Sequence, residues 1–475
     1  MSVNTESTVA TRIGNLPFQV PSRDEIIARQ REFFNSHHTL DLNLRIGKLR
    51  QLQAVLRREE PAIVSALRED LGKAHFEAYG TELGIVLEEL GFALSHLRRW
   101  AKPRRAPTPL VHFPSASRVY PEPLGVVLII SPWNYPLLLT LSPLISAIAA
   151  GNCAVIKPSR HVPHTAQVME AILQECFEPD YVAMFRGGDE LNDWLLSTRF
   201  DHIFFTGSPR VARVVMAAAA RYLTPLTLEL GGKSPCIVDR TANLELAARR
   251  IAWGKSINAG QTCVAPDYLL VHQDRKAELV ERIRATYRQF YGADPLTHPD
   301  FPKIINTHHF DRLCGLMAGA NILLGGRSDR TARKIEPTLL DGVTLDHPVM
   351  KEEIFGPLLP VLTFSQIDEA LEIIRHFEKP LSLYLFTHDR AVERRILSTV
   401  SFGGGAVNDT LIQFVNPHLP FGGVGESGFG SYHGAKGFET FSHLKSVTKK
   451  AEWLDIPFRN PPFAGHLDIL KLFLH

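Results

Sequence analysis

The sequence predicts an α/β protein built on a doubly wound, Rossmann-like parallel sheet, joined to a second α/β unit and a small β arm. Three observations carry this. Short apolar runs at 125–131, 154–157, 181–185, 202–206 and 226–230 alternate with segments of helical periodicity, as in a parallel sheet covered on both faces. The same texture repeats from 233 to 401. Proline-rich residues 102–122 break the pattern and read as an extended arm or hairpin, while 402–450 is rich in glycine and aromatic residues and then turns strand-like. The 475 residues allow about two or three domains, and 45% hydrophobic with 21% charged residues excludes a mostly disordered, collagenous or disulfide-framework chain.

From 22 to 100 apolar residues recur at helical spacing, and Ser22 with Glu25 forms a capping-box pattern ahead of Ile26 and Ile27. The basic cluster Arg98, Arg99, Lys102, Arg104 and Arg105 at the following junction reads as a solvated linker face. Residues 124–156 carry no charged side chain, a stretch longer than the ~20 residues of a membrane-spanning helix. Pro132, Pro136, Pro143 and Gly151 interrupt it, so it reads as a buried β-α-β unit. The expected parts are a strand at 125–130, a helix with Ser142 as N-cap and Pro143 as its first residue, and a strand at 153–156. The apolar tail 463–475 is too short to span a bilayer.

With 52 Lys plus Arg against 50 Asp plus Glu, the net charge of +2 excludes a general binder of nucleic acid or membrane surface by bulk electrostatics. Cys153, Cys176, Cys236, Cys263 and Cys314 form no CxxC pair and are odd in number, which points to a reducing compartment, the cytoplasm by default. Residues 1–21 are polar and lack the succession of a signal peptide. No metal site is expected: His37-His38, His308-His309 and His161 with His164 lack companions at ligand spacing.

Ligands of open parallel sheets bind beyond the carboxyl ends of the strands, and several residue groups fall there. Asn134, in SPWNYP at 131–136, could donate to an oxyanion or simply build a turn. Lys157 and Arg160 follow the second strand, where they are ribose or phosphate ligands or merely solvated cations. Gly207 and Ser208 form a tight turn into a helical run, a place for a pyrophosphate. The literal GxGxxG string at 423–428 has neither a leading strand nor a following helix and is rejected as a dinucleotide fingerprint. Glu229 sits in an apolar strand beside two glycines, as a desolvated base or a salt-bridged structural group. Cys263 lies in a glycine-led loop, as an activated thiol or an inert one.

Taken together, SPWNYP at 131–136, IKPS at 156–159, FTGS at 205–208, LELGGKSP at 228–235, GQTCVAPDY at 260–268, EEIFGP at 352–357 and PFGGVGESGFG at 420–430 resemble the NAD(P)-dependent aldehyde dehydrogenase superfamily over about 22–447. SYHG at 431–434 and FETFSH at 438–443 resemble its class 3 branch, typically dimers acting on aromatic or medium-to-long apolar aldehydes. The resemblance implies Cys263 as nucleophile, Glu229 as base, and Asn134 with the Cys263 N–H as the oxyanion site. It implies Lys157 and Glu353 as cofactor ribose ligands, Phe355 beside the nicotinamide, and Gly207-Ser208 at the pyrophosphate. The implied division is a cofactor-binding domain at 1–101 and 119–232, a catalytic domain at 233–405, an oligomerisation arm at 102–118 and 425–450, and a tail at 451–475.

Where many relatives carry a glutamate, this chain has Arg160, able to pair with a 2′-phosphate, so NADP is expected to be accepted alongside NAD. Ala212 replaces a glycine frequent in relatives, and no function attaches to it. Trp133, Tyr135, Ile412 and Phe414 are the expected apolar walls of the substrate pocket. The tail is expected to pack on a partner subunit or a substrate funnel rather than attach to a membrane. The competing readings are a CoA-acylating aldehyde dehydrogenase, against which Glu229 speaks, and a catalytically silent structural protein of the same fold.

Overall fold

The capping-box pattern forms as the sequence expects: Glu25 N–H donates to Ser22 Oγ at 3.2 Å and Ser22 N–H to Glu25 Oε2 at 2.6 Å, opening the helix Arg23–Asn35. The computed structural model describes residues 22–455 and 460–471, so the reading of 1–21 and the end of the apolar tail lie outside the described residues. Helices Leu42–Arg58, Glu60–Leu71 and Gly84–Trp100 follow. Their inward positions Leu49, Leu52, Leu56, Leu67, Leu90 and Leu97 are fully buried. Each such leucine contributes roughly 1.5–3 kcal/mol by leaving water.

Two sheets position the site. The first has six strands in the spatial order Gly428–Phe429, Leu226–Glu229, His202–Thr206, Val126–Ile130, Cys153–Lys157 and Val182–Met184, all parallel except the first pair. Chain order reverses between Val126–Ile130 and His202–Thr206, which are neighbours in space but separated in sequence by two strands. In a doubly wound sheet that switch point opens a crevice at the carboxyl ends of the strands. The second sheet has seven strands, in the order Asn321–Leu324, Thr338–Asp341, Leu358–Phe364, Tyr268–His272, Pro235–Val238, Ser382–Phe386 and Gly404–Val407, again parallel except at the first edge. The fold is thus mixed α/β with parallel sheets.

A third, antiparallel sheet joins Arg104–Ala106, Ser115–Pro123 and Ser442–Lys450, with Ser442 opposite Pro123 and Lys450 opposite Ser115. The hairpin read in the proline-rich segment is therefore present. Residues 425–450 divide: Gly428–Phe429 pair with Leu228 and Glu229 in the six-stranded sheet, and Ser442–Lys450 build the arm. The string at 423–428 forms a 3-10 turn at Gly425–Ser427 ahead of that short strand, with no helix directly after it.

One local expectation is corrected. Helix Leu138–Ala150 starts before Ser142 and holds Pro143 inside, although proline forgoes an intrahelical hydrogen bond. Its N-terminus is satisfied from a distance: Oε2 of buried Glu82 accepts from Leu137 N–H at 2.8 Å and Leu138 N–H at 3.3 Å. Ser142, freed from capping, donates instead to Glu89. Every residue of this helix is buried, which explains the uncharged stretch. Among the described residues no helix is long and apolar enough to cross a membrane.

Candidate active site

Between helix Leu244–Ser256 and strand Tyr268–His272 the chain turns through three consecutive left-handed residues, Asn258 at φ 49°, Ala259 at 51° and Gly260 at 73°. Side chains lacking glycine's freedom are strained there, so outside contacts must hold them. Glu77 Oε1 accepts from Asn258 N–H at 2.6 Å. The Gln261 amide donates to Asn258 O at 2.9 Å and Lys303 O at 3.1 Å, and its Oε1 accepts from Ile305 N–H at 3.0 Å. A Cβ on Gly260 would lie 2.3 Å from Gly356 O, so the close approach itself demands glycine. This bracing presents Cys263 half-buried at the wall of a cleft. Burial, Glu353 and Glu229 all push the thiol upward from its ordinary pKa, while the N–H groups of Cys263 and Val264 pull it down.

The cleft holds about 840 Å³ and runs along the switch point, lined by Asn134, Gly207, Glu229, Cys263, Glu353 and Phe355 among others. Glu229 ends strand Leu226–Glu229, is only 3% exposed, and neither carboxylate oxygen has a hydrogen-bond partner among the described residues. Of the two readings the sequence left open, no salt bridge to Glu229 forms among the described residues. Burial alone drives this carboxyl well above the usual glutamate range. Asn134 is 2% exposed; its Nδ2 donates to Gln261 O at 3.1 Å, which leaves a second amide hydrogen for another acceptor.

Across the cleft the Glu353 carboxylate accepts from Gly232 N–H, and burial with nearby Asp267 pushes it up to about 8 against the pull of Lys233 and Lys255. Lys233 and Asp267, within LELGGKSP and GQTCVAPDY, are both buried, and nothing in the sequence alone marks them. The Lys233 ammonium donates to Asp267, to Val349 O at 3.0 Å and to Glu352 O at 2.9 Å, and Asp267 Oδ1 accepts from Ile354 N–H at 2.9 Å. Together they pin the segment carrying Glu353 and Phe355. Phe355, at φ 51°, meets Trp133 edge to face at 5.3 Å, and Trp133 in turn meets His309 at 5.3 Å. Burial and Arg312 push His309 down to about 4, leaving it neutral.

Gly207 follows strand His202–Thr206, and a Cβ there would strike the Phe205 ring at 2.7 Å. Ser208 caps helix Pro209–Ala220, its hydroxyl accepting from Val211 N–H, and Gly207, Ser208, Pro209 and Arg210 bring this helix start to the cleft wall. Lys157 and Arg160 stand beyond the cleft lining, at and just after the end of strand Cys153–Lys157. Burial and Arg160 lower the Lys157 pKa, and Arg160 Nη1 pairs with Asp189 Oδ1 at 3.2 Å in an exposed contact. Three of the four expected pocket walls also lie outside the lining. Tyr135 is buried, with its hydroxyl on Thr262 Oγ1 at 2.7 Å. Phe414 packs on the Phe421 and His433 rings, and Ile412 is exposed in the turn Ile412–Val415. Trp133 alone of the four lines the cleft. Among the described residues no cluster of ligating side chains could hold a metal ion.

A doubly wound sheet whose switch-point cleft faces a thiol-bearing loop on a second parallel sheet defines an α/β enzyme of the nucleotide-dependent oxidoreductase class. The aldehyde dehydrogenase family model matches residues 19–447, and the chain belongs to that family. It is an oxidoreductase, an NAD(P)-dependent aldehyde dehydrogenase. It is 48% identical to 4,4'-diaponeurosporen-aldehyde dehydrogenase of Staphylococcus aureus over 443 residues, 93% of this chain and 96% of that protein. It is 43% identical to the aldehyde dehydrogenase of Rattus norvegicus described as dimeric and NADP-preferring, over 90% of this chain and 95% of that one. Among solved structures, the substrate-bound state of Staphylococcus aureus AldH superposes with a TM-score of 0.94 at 46% identity, covering 96% of this chain and 100% of that one.

Proposed function

We propose that this enzyme oxidises an apolar aldehyde, aromatic or medium-to-long aliphatic, to its carboxylic acid through a covalent intermediate on Cys263. The observation that carries the proposal is the convergence of Cys263, Asn134 and a partnerless Glu229 on one cleft. The residues present fit an NAD(P) cofactor: the cleft lies at the switch point, the capped helix N-terminus after Gly207 suits a pyrophosphate, and Glu353 and Lys157 suit ribose hydroxyls. When bound, the nicotinamide accepts the hydrogen and electron pair of the aldehyde C–H bond.

The protein's own groups do the rest. The Cys263 thiol gives its proton to the water of the cleft, the sulfur adds to the aldehyde carbon, and the carbonyl π electrons move to oxygen. The resulting thiohemiacetal oxyanion is met by the second Asn134 amide hydrogen and the Cys263 N–H. After oxidation to the thioester, Glu229 takes a proton from water as the water oxygen attacks the acyl carbon, and the C–S bond breaks with the leaving sulfur taking that proton, which returns both the thiol and the carboxylate. An unpaired carboxylate suits this step because no ion pair must be broken first.

The relative named 4,4'-diaponeurosporen-aldehyde dehydrogenase and the aromatic cleft wall at Trp133 and Phe355 support an apolar substrate. Arg160 and the NADP-preferring relative support acceptance of both cofactors. We further assign the six-stranded unit to cofactor binding, the seven-stranded unit to catalysis and the β arm to a homodimer in the cytoplasm. A CoA-acylating enzyme would not need the hydrolytic base, and a silent structural protein would not need the set.

The deciding experiment is acyl-enzyme trapping. Glu229→Gln mixed with NAD and a medium-chain aldehyde should show one acyl mass on the peptide containing Cys263, and Cys263→Ser should show none. Full turnover by Cys263→Ser would remove the proposal. CoA-dependent release of acyl-CoA would favour the acylating alternative.

A further inference from the structure

Lys73 is fully buried at the turn between helices Glu60–Leu71 and His75–Ala78, far in sequence from every residue assigned above. Its ammonium donates to Glu82 Oε1 at 2.6 Å and to the main-chain oxygen of Asn134 at 3.1 Å, and stands 3.9 Å from the centre of the Tyr135 ring. The other oxygen of Glu82 holds the N-terminus of helix Leu138–Ala150. One cation thus ties the Asn134 peptide, the neighbouring aromatic ring and a helix start into a single block.

A second set of bonds joins that block to the nucleophile loop. The Asn258 amide Nδ2 donates to Asn134 O at 2.8 Å and to Gln261 O at 3.1 Å. Gln261 O is the same oxygen that accepts from the Asn134 side chain. The Tyr135 hydroxyl meets Thr262, which precedes Cys263. Residues 134 and 135 are therefore laced to 261 and 262, with Lys73 on one side and Asn258 bridging the two strands of the lacing.

We infer that Lys73 and Asn258 are positioning residues, which fix the Asn134 amide relative to Cys263 by clamping the Asn134 carbonyl between an ammonium and an amide. The physical reason lies in the geometry of the Asn134 peptide. With its carbonyl clamped and one side-chain hydrogen committed to Gln261 O, the direction of the remaining hydrogen is set before substrate arrives. A pre-oriented donor stabilises developing charge without reorganisation, and a displacement near 1 Å costs on the order of a hundredfold in rate. Burial of an ammonium otherwise carries a large desolvation penalty, met here by the carboxylate, the carbonyl and the ring face. This inference rests on the assignment of Asn134 as the oxyanion donor.

The test is a pair of double-mutant cycles in the full chain. Asn134→Ala should lower kcat by about 10²- to 10³-fold. Lys73→Met and Asn258→Gly should each lower kcat by roughly 10- to 100-fold with the KM for cofactor unchanged, yet by less than about twofold when introduced into Asn134→Ala. Glycine tolerates the left-handed conformation of residue 258, so that variant keeps the backbone and decides the matter should Lys73→Met fail to fold. Equal losses in both backgrounds, or unchanged kcat in Asn258→Gly, would overturn the inference while leaving the oxyanion assignment intact. Unchanged kcat in Asn134→Ala would overturn the assignment itself, and the inference with it.

Discussion

A Cβ placed on Gly231 would sit 2.2 Å from Oε2 of Glu353 and 2.4 Å from Oε1, so the carboxylate rests directly on the glycine backbone. The absence of a side chain at 231 is what lets a residue of the second sheet unit reach the cleft edge formed by the first. Lys233 and Asp267, anchoring the segment on either side, leave Glu353 little room to retreat.

Gly231→Ala is therefore expected to displace Glu353 rather than the backbone. Loss of a charge-assisted contact to the cofactor is worth about 1.5–3 kcal/mol, or roughly 10- to 100-fold. The loss should fall on kcat/KM for NAD(P), with the KM for aldehyde little changed. Glu353→Gln should behave similarly, and steady-state kinetics at fixed aldehyde would show whether the two variants match.

Glu229 links activity to stability. An ordinary glutamate titrates near about 4.3. Burial without a partner raises the folded-state value, so the stability this group contributes is fully present below the ordinary value and lost as pH rises through the raised one. Glu229→Gln removes that loss. The variant should match the wild type in stability at about pH 4 and exceed it at about pH 8, by an amount on the order of 1–3 kcal/mol, while hydrolysis of the thioester collapses. Thermal melts across that range test the sign, and a variant less stable at the higher pH would contradict it.

Tyr135 separates a structural from a substrate role. Its ring lies under Lys73 and its hydroxyl on Thr262, away from the cleft lining. Tyr135→Phe keeps the ring and deletes one hydrogen bond, worth about 0.5–1.5 kcal/mol. The expected result is a kcat reduced roughly 2- to 10-fold, with unchanged ranking of aromatic and aliphatic aldehydes. A changed ranking in a substrate panel would return Tyr135 to the pocket wall.

Much of this was legible in one dimension because it is local or motif-bound. The Ser22–Glu25 cap, the strand His202–Thr206 and the turn at Gly207 depend on neighbours a few residues away. Cys263, Asn134 and Glu229 stand out in the sequence only as a set, since a turn asparagine or a lone thiol has no local signature. The start of helix Leu138–Ala150 has no local signal because its cap, Glu82, is 55 positions away in sequence. Lys73 and Glu77 stayed invisible for a related reason: a charged residue in a helical region reads as a solvated face unless its tertiary partner is known. Adjacency to Asn134 says nothing about which way the Tyr135 side chain turns, and it turns toward Lys73 and Thr262.

The Arg160–Asp189 pair gives the cofactor preference a handle in two directions. Arg160 Nη1 is held at 3.2 Å by an exposed carboxylate, a contact worth little in water. An incoming 2′-phosphate offers more charge and a bidentate geometry, so Arg160 should exchange one partner for the other. Arg160→Glu places a negative group where that phosphate would lie, and the ratio of kcat/KM for NADP to that for NAD should fall about tenfold or more. Asp189→Asn releases the guanidinium and should raise the same ratio by a few-fold, with kcat for NAD unchanged. Initial rates with both cofactors in the three proteins measure this directly. A ratio that moves in neither variant would take Arg160 out of cofactor discrimination and leave it as a surface residue.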